Sequence, residues 1–246
     1  MSAVESNTAE WPAEGVLVPI DDVDVRVNGS QHPFHRNEMG RAEENWAREI
    51  AANPHLFDGR MVLQRALNIR NGRVRAEGHV VPYSTFLWWR KTRAEGAFHL
   101  FAMPAILSSD GALILARMGS HTANPARVYS PSGSLEPDDI IDGRCDIEGN
   151  IRREALEETG IDLALAVAEP GYHLLHMERA VTVMRIYRYP ETAEALVARV
   201  AQHIAADPEP EIDEAVAVRG PDLSAHNYPP FIPPILNWLF GGRQTS

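Results

Sequence analysis

The sequence is poor in features that would place the chain in a membrane or outside the cell. It has one cysteine, Cys145, so it has no intramolecular disulfide, as is typical of a reducing compartment. Its best apolar run, FHLFAMPAIL, is broken by Ser108-Ser109-Asp110-Gly111 before it reaches membrane-spanning length. The first residues, MSAVESNTAEW, lack the basic start and apolar stretch of a signal peptide. We therefore predict a cytoplasmic protein that makes no contact with a membrane.

Positive charge is also scarce. Lys and Arg number 23 against 34 Asp and Glu, which gives a formal net charge of -11. An acidic surface repels phosphate backbones, so we expect no binding to nucleic acid. The 246 residues are 44% hydrophobic, enough for one large domain with a core, or for one domain with a modest N-terminal addition.

The chain divides into three predicted segments. Residues 1–36 are polar and scattered with Pro and Gly, so we expect a poorly ordered or loosely docked tail. Residues 37–95 form an extension in which NEMGRAEENWAREIAAN predicts a helix. A hairpin is expected in RMVLQRALNIRNGRVRAEGHVV, because Asn71-Gly72 favours a type I′ turn. TFLWWRK remains open between a strand and a short helix, since its periodicity does not decide.

Residues 96–246 form the third segment, in which predicted strands interleave with helices. FHLFAMPAILSSDGALILARMG predicts two apolar strands, and YHLLHMERAVTVMRIYRYP one or two more. ETAEALVARVAQHIAAD predicts an amphipathic helix, EIDEAVAVRG a strand and PPFIPPILNWLF a short closing helix. This pattern favours an α/β or α+β fold.

The stretch RREALEETGID, residues 152–162, crowds three glutamates onto one side of a predicted helix. Glu154, Glu157 and Glu158 are spaced i, i+3 and i+4, so they share a face. Carboxylates near a helix C-terminus are unfavourable by roughly 0.3–1 kcal/mol each. A solvated acidic face is the ordinary interpretation. However, Arg153 can pair only with Glu157, at i+4, which leaves Glu154 and Glu158 without a basic partner. A divalent cation such as Mg²⁺, which prefers hard oxygen ligands, would compensate the rest.

The ends of this helix and the loop before it also carry signals. Asp146 is a suitable N-cap, and Gly160 is placed to end the helix in the left-handed conformation. Gly133, in the turn of PSGSLEPDD, would let backbone groups approach a metal or a diphosphate closely. A surface loop rich in turn formers is the ordinary alternative.

REALEETGI, residues 153–161, resembles the helix half of the Nudix box, G-x5-E-x7-R-E-U-x-E-E-x-G-U, where U is bulky and aliphatic. Six defined positions match, and Gly133 is similar to the first glycine of the box. Asp139 stands where the family has Glu, and 13 residues separate it from Arg153 instead of seven. Three other acids of this longer loop could replace the missing glutamate: Asp142, Asp146 and Glu148.

The resemblance implies the Nudix fold, a mixed β-sheet between helices, preceded here by a small α+β extension. It also implies Mg²⁺- or Mn²⁺-dependent hydrolysis of a nucleoside diphosphate derivative. A nucleotide sugar is favoured, because WAREIAANPHLFDG is faintly similar to extensions of nucleoside-diphosphate-sugar hydrolases of this family.

Residue roles follow from the same resemblance. Glu157 and Glu158 would be the principal metal ligands, and Glu154 a third ligand or the base that deprotonates water. Arg153 would orient a glutamate, and the Gly133 carbonyl would face the metal. Asp139 is a further candidate ligand. Catalysis would thus involve Glu154, Arg153 and Glu157.

Other possibilities stay open. Many family members take one more carboxylate from a distant loop, for which Glu209 and Glu211 are candidates; a solvated turn before a strand is an equal alternative. The chain could also be a Nudix-fold binding or regulatory module that does not cleave its ligand, or an isomerase. The N-terminal hairpin leaves a homodimer open.

Overall fold

The computed structural model describes residues 11–241, in which the thirteen strands form two β-sheets. The larger sheet has eight strands. They are β1 (Val18–Ile20), β5 (His99–Leu107), β6 (Leu113–Met118), β7 (Val128–Tyr129), β10 (Val167–Ala168), β11 (Tyr172–Met177), β12 (Ala180–Arg188) and β13 (Ile212–Val218). The order along its main path is β1-β11-β12-β5-β6-β13, with β10 beside β12 and β7 beside β6.

The centre of the larger sheet is the parallel pair β5 and β12. Every residue of β5 after His99 is buried, as expected for a strand that is covered on both faces. The other pairs of this sheet are antiparallel, so the sheet is mixed. The predicted α+β fold with a mixed sheet is confirmed.

Three helices flank this sheet: α3 (Ile147–Thr159), α4 (Ala193–Ala206) and α5 (Ile232–Phe240). α3 packs against β5, and α4 packs against β13. α5 buries Ile232, Ile235 and Leu236 in the main hydrophobic core. All three lie where the sequence predicted helices.

The second sheet has five strands, in the order β3-β4-β2-β9-β8. They are β2 (Asp22–Val27), β3 (Arg60–Arg70), β4 (Arg73–Pro82), β8 (Ile140–Ile141) and β9 (Arg144–Cys145). The predicted hairpin is confirmed in β3 and β4, whose turn residues Asn71 and Gly72 have φ of 49° and 68°. Strands from all three predicted segments share this sheet.

The described part of the predicted tail is not loose, which corrects that expectation. β1 pairs with β11, and β2 lies between β4 and β9. The alternating stretch DVDVRV buries Val25 completely, whereas Asp22 and Arg26 are exposed. Because these pairings are made with residues far along the chain, a local scan does not detect them. Residues 1–10 lie outside the described residues.

The extension also contains the helices α1 (Pro33–Ala52) and α2 (Tyr83–Thr92), which pack on each other. α1 begins four residues before the predicted start, since Pro33 occupies its first turn and His32 Nδ1 accepts from the Phe34 N–H at 3.0 Å. TFLWWRK is helical in α2. Phe86, Leu87 and Trp89 of α2 contribute to a second hydrophobic cluster.

Candidate active site

Helix α3 has the local signals that the sequence predicted for it. The Asp146 side chain accepts from the Gly149 N–H at 2.9 Å, which caps the N-terminus. Gly160 ends the helix with φ of 67°, and its N–H donates to the Leu156 carbonyl at 2.9 Å. These caps fix where the helix begins and ends, and so which face carries the glutamates.

The six additional residues of the loop form a closed hairpin. β8 and β9 pair directly, with Asp142 and Gly143 at positive φ in the turn. The Asp146 N–H donates to the Asp139 carbonyl at 2.8 Å across the base of the hairpin. The hairpin therefore brings residue 146 back beside residue 139. Seven residues, 146–152, remain between the hairpin and Arg153. That number is the one in the Nudix box.

Asp139 is 5% exposed and both of its carboxylate oxygens have partners. Oδ2 accepts from Asn150 Nδ2 at 3.0 Å and from the Glu136 N–H at 2.8 Å. Oδ1 lies 3.2 Å from Arg153 Nη2. Asp139 does not line the cavity described below. The sequence predicted Asp139 as a metal ligand. In the structure, its carboxylate instead forms an ion pair with Arg153.

Arg153 connects three carboxylates. Nη2 lies 2.8 Å from Glu154 Oε1, and Nη1 lies 2.9 Å from Glu157 Oε2. Its third partner is Asp139. Charge-assisted contacts of this kind fix both the distance and the orientation of the groups. Arg153 thus contacts the carboxylates of both Glu154 and Glu157.

Glu154 is a buried carboxyl group, 8% exposed, packed against Gly133. Burial raises the pKa of Glu154 to about 7, with Arg153 opposing the shift and Glu157 adding to it. A Cβ on residue 133 would overlap the Glu154 carboxylate. Glycine at this position therefore lets the Glu154 carboxylate approach the backbone closely; its φ is not positive, so backbone conformation does not call for glycine.

Glu158 is also 8% exposed. Its Oε1 accepts from the Ser132 N–H at 3.1 Å, but Oε2 is buried and has no hydrogen-bond partner among the described residues. Burial raises the pKa of Glu158 well above its ordinary value, and Glu154 and Glu211 add to the shift. A buried carboxylate oxygen without a partner is costly, so this atom requires a proton or a cation.

The structure distinguishes the two candidates for a distant metal ligand, Glu209 and Glu211. Glu211 lines the same cavity as the helix glutamates, and its carbonyl accepts from the Gly119 N–H at 2.8 Å. Its charge contributes to the raised pKa of Glu158. Glu209 does not line the cavity, and its N–H donates to Asp207 Oδ1 at 2.9 Å in a local turn.

The other three acids proposed to replace the missing glutamate have structural roles. Asp142 lies in the hairpin turn, and Asp146 caps α3. Glu148 is bound by Arg152 at 2.7 Å, Arg185 at 2.6 Å and the Tyr187 hydroxyl at 2.8 Å. None of the three lines the cavity.

The carboxylates face a cavity of about 680 Å³. Its wall includes Gly133, Glu154, Glu157, Glu158 and Arg153 from the predicted site, together with Glu211. Among the residues that sequence reasoning missed, the following also line it: Arg60, Tyr83, Phe86, Arg90, Arg93 and Glu136. Arg127 lines it too, whereas Arg117 pairs with Glu214 at 2.7 Å.

The sequence contains one signal for the cavity residues that were not predicted. Tyr83, Phe86, Arg90 and Arg93 are spaced i, i+3, i+7 and i+10, the period of one helix face. The pattern is visible only once TFLWWRK is taken as helical.

The donor set suits a hard divalent cation, because it consists of carboxylate oxygens around the unpaired Glu158 oxygen. Over residues 11–241, no three His, Cys, Asp or Glu side chains are already gathered as a metal-holding group. Arg153 already contacts one oxygen of Glu154 and one of Glu157.

None of the helices within residues 11–241 has the length and apolar character that a membrane span needs.

Comparison with known proteins gives similarity at the level of solved structures. No family model and no curated protein match the chain. The MutT protein from Methanosarcina mazei Go1 is 17% identical, with a TM-score of 0.38 over 58% of this chain and 92% of that chain. The Nudix hydrolase RenU from M. smegmatis is 12% identical, with a TM-score of 0.37 over 57% of this chain and 80% of that chain.

A C. elegans Ap4A hydrolase also matches, at 12% identity and a TM-score of 0.31, over 49% of this chain and 80% of that chain.

Proposed function

We propose that the chain is a Nudix-type hydrolase that cleaves the diphosphate linkage of a nucleoside diphosphate derivative with Mg²⁺ or Mn²⁺. A nucleotide sugar is the favoured substrate type. The observation that carries the proposal is the buried Glu158 oxygen without a partner, beside the buried Glu154. Two desolvated carboxyl groups are unfavourable without compensating charge, which a divalent cation and a diphosphate would supply together.

Glu154, Glu157, Glu158, the Gly133 carbonyl and Glu211 are the groups that would hold the metal. A bound divalent cation would neutralise diphosphate charge and lower the pKa of water. The residues of the chain do the remaining work. Glu154 lies beside these ligands on the cavity wall, so it would be the base that accepts a proton from water when it is not itself a ligand. Arg153 holds the carboxylates of Glu154 and Glu157 in place.

The test is hydrolysis of a panel of nucleotide sugars, dinucleoside polyphosphates and nucleoside triphosphates. We expect release of nucleotide or phosphate with Mg²⁺ or Mn²⁺, and none with EDTA. Glu158→Gln should reduce turnover by orders of magnitude, because it removes a ligand charge. Glu194→Gln, an exposed change in the first turn of α4, is the matched control and should retain turnover. Full activity in EDTA would refute metal dependence.

One observation favours a second candidate, a module that binds a nucleotide-like ligand without cleaving it. Over the described residues the carboxylates are not gathered as a ready metal group. The same panel separates the two functions when it is paired with calorimetric binding. Binding without turnover at any metal concentration would support the module, whereas turnover supports the hydrolase.

A further inference from the structure

Four arginines besides Arg153 line the cavity. They are Arg60, Arg90, Arg93 and Arg127, supplied by β3, by α2 and the residue that ends it, and by the loop before β7. Acidic residues outnumber basic ones in this chain, 34 to 23. An arginine facing a cavity would therefore be expected to have a carboxylate partner.

Three of these arginines have none among the described residues. Arg60 makes no ion pair or side-chain hydrogen bond within residues 11–241. Arg90 Nη1 donates to the amide oxygen of Asn124 at 3.4 Å, and Arg127 Nη1 donates to the Tyr228 carbonyl at 3.1 Å, both neutral groups. Arg93 lies 3.8 Å from Glu178. The wall thus carries three positive charges that no acid of the described chain neutralises.

The side chains of Arg90 and Arg127 are held in place without a ligand, and the backbone before Arg60 is anchored beside them. Arg90 lies over the Phe86 ring at 5.8 Å, and Phe86 is buried. The Arg127 N–H donates to the Asn124 carbonyl at 3.2 Å, so one asparagine joins the loop to α2. Tyr83 N–H donates to the Gly59 carbonyl at 2.8 Å, which positions Arg60 beside the start of α2. Preorganised guanidinium groups lose little entropy when they bind an anion.

We propose that Arg60, Arg90 and Arg127 bind an anionic group of the substrate that is separate from the diphosphate cleaved at the glutamates. This inference rests on the proposed function. The group is a further phosphate or a carboxylate, the two anions that guanidinium forks recognise. The substrate class is thereby narrowed to nucleoside diphosphate derivatives that carry an additional negative charge.

Matched substrate pairs test the proposal. UDP-glucuronic acid and UDP-glucose differ by a carboxylate, and NADP⁺ and NAD⁺ differ by a phosphate. We expect kcat/KM to favour the more charged member of at least one pair by about tenfold, mainly through KM, as a charge-assisted contact would give. The pair that shows the preference identifies the anion. Arg60→Gln and Arg90→Gln should abolish the preference, because they lower kcat/KM for the more charged member much more than for the less charged member.

Arg48→Gln is the matched control, since Arg48 is exposed on α1 and does not line the cavity. It should leave every ratio unchanged. Hydrolysis with equal kcat/KM within both pairs would overturn the proposal and leave the hydrolase intact. So would variants that slow both members of a pair equally, because the arginines would then bind the diphosphate itself.

If no pair is hydrolysed, the proposed function fails, and anion binding is decided by thermal melts in EDTA with inorganic phosphate or citrate. Stabilisation of the wild type and of Arg48→Gln, but not of Arg90→Gln, would support the anion site. Equal stabilisation of all three proteins, or of none, would overturn it. Melts without anion confirm that each variant is folded.

Discussion

The backbone N–H of Asp146 donates to the carbonyl of Asp139 at 2.8 Å, and this bond closes the hairpin of β8 and β9 in the loop before α3. Asp139 therefore reaches Arg153 in spite of the additional residues, at 3.2 Å between Oδ1 and Nη2. Arg153 in turn contacts Glu154 and Glu157. The loop acid acts on the site through the arginine, which leads to the first prediction.

Asp139→Asn should destabilise the protein and leave metal affinity nearly unchanged. The change removes the charge that faces Arg153 in a buried position, and the free energy of unfolding should fall by about 1–3 kcal/mol. Turnover should fall about tenfold, because Glu154 and Glu157 lose their fixed orientation. Denaturant unfolding, kinetics and a Mg²⁺ titration measure the three quantities. A loss of Mg²⁺ affinity without a loss of stability would make Asp139 a ligand instead.

Glu158→Gln should separate stability from function. In EDTA at pH 8 the variant should be more stable than the wild type by about 1–2 kcal/mol, since the wild type must either bury the Glu158 charge or hold a proton that the unfolded state releases. With Mg²⁺ the order should reverse, because only the wild type keeps the full ligand set. Thermal melts in both conditions decide this. Clear destabilisation in EDTA would show that the Glu158 carboxylate is a structural partner.

The pH dependence of the metal-free protein should reveal Glu154. Its folded pKa, about 7, lies above its unfolded value of 4.5, so the folded state binds the proton more tightly. Stability is then highest below about pH 4.5 for this group and falls as the pH rises through 7, by about 2–3 kcal/mol. Glu154→Gln should flatten the curve between pH 5 and pH 8 in denaturant unfolding with EDTA. An unchanged slope in the variant would contradict the raised pKa.

Gly133→Ala should damage the site through steric overlap. The added Cβ would collide with the Glu154 carboxylate, so either the loop or the carboxylate must move. We expect turnover to fall at least about a hundredfold, as a displacement of about 1 Å at a catalytic group does. Gly220→Ala is the control, because its Cβ would meet nothing within 4 Å. Equal activity of the two variants would mean that Glu154 need not approach residue 133.

Local features of this protein were readable from the sequence. Helix α3, its caps Asp146 and Gly160, and the turn at Asn71-Gly72 follow from side chains that act within a few residues. The glutamate face of α3 follows from helical spacing alone. The predicted residues that meet in the cavity are Gly133, Arg153, Glu154, Glu157, Glu158 and Glu211.

The tertiary structure decided what depends on distant segments. Strand β2 exists because β4 and β9 pair with it, and DVDVRV alone does not distinguish a strand from a polar tail. The role of Asp139 depends on whether the inserted residues fold back on themselves, and Arg90 meets the cavity only because α2 packs beside it. Glu209 and Glu211 are two residues apart, yet only one faces the site. Contacts between residues far apart in the chain are set by packing of whole elements, which local propensity does not encode.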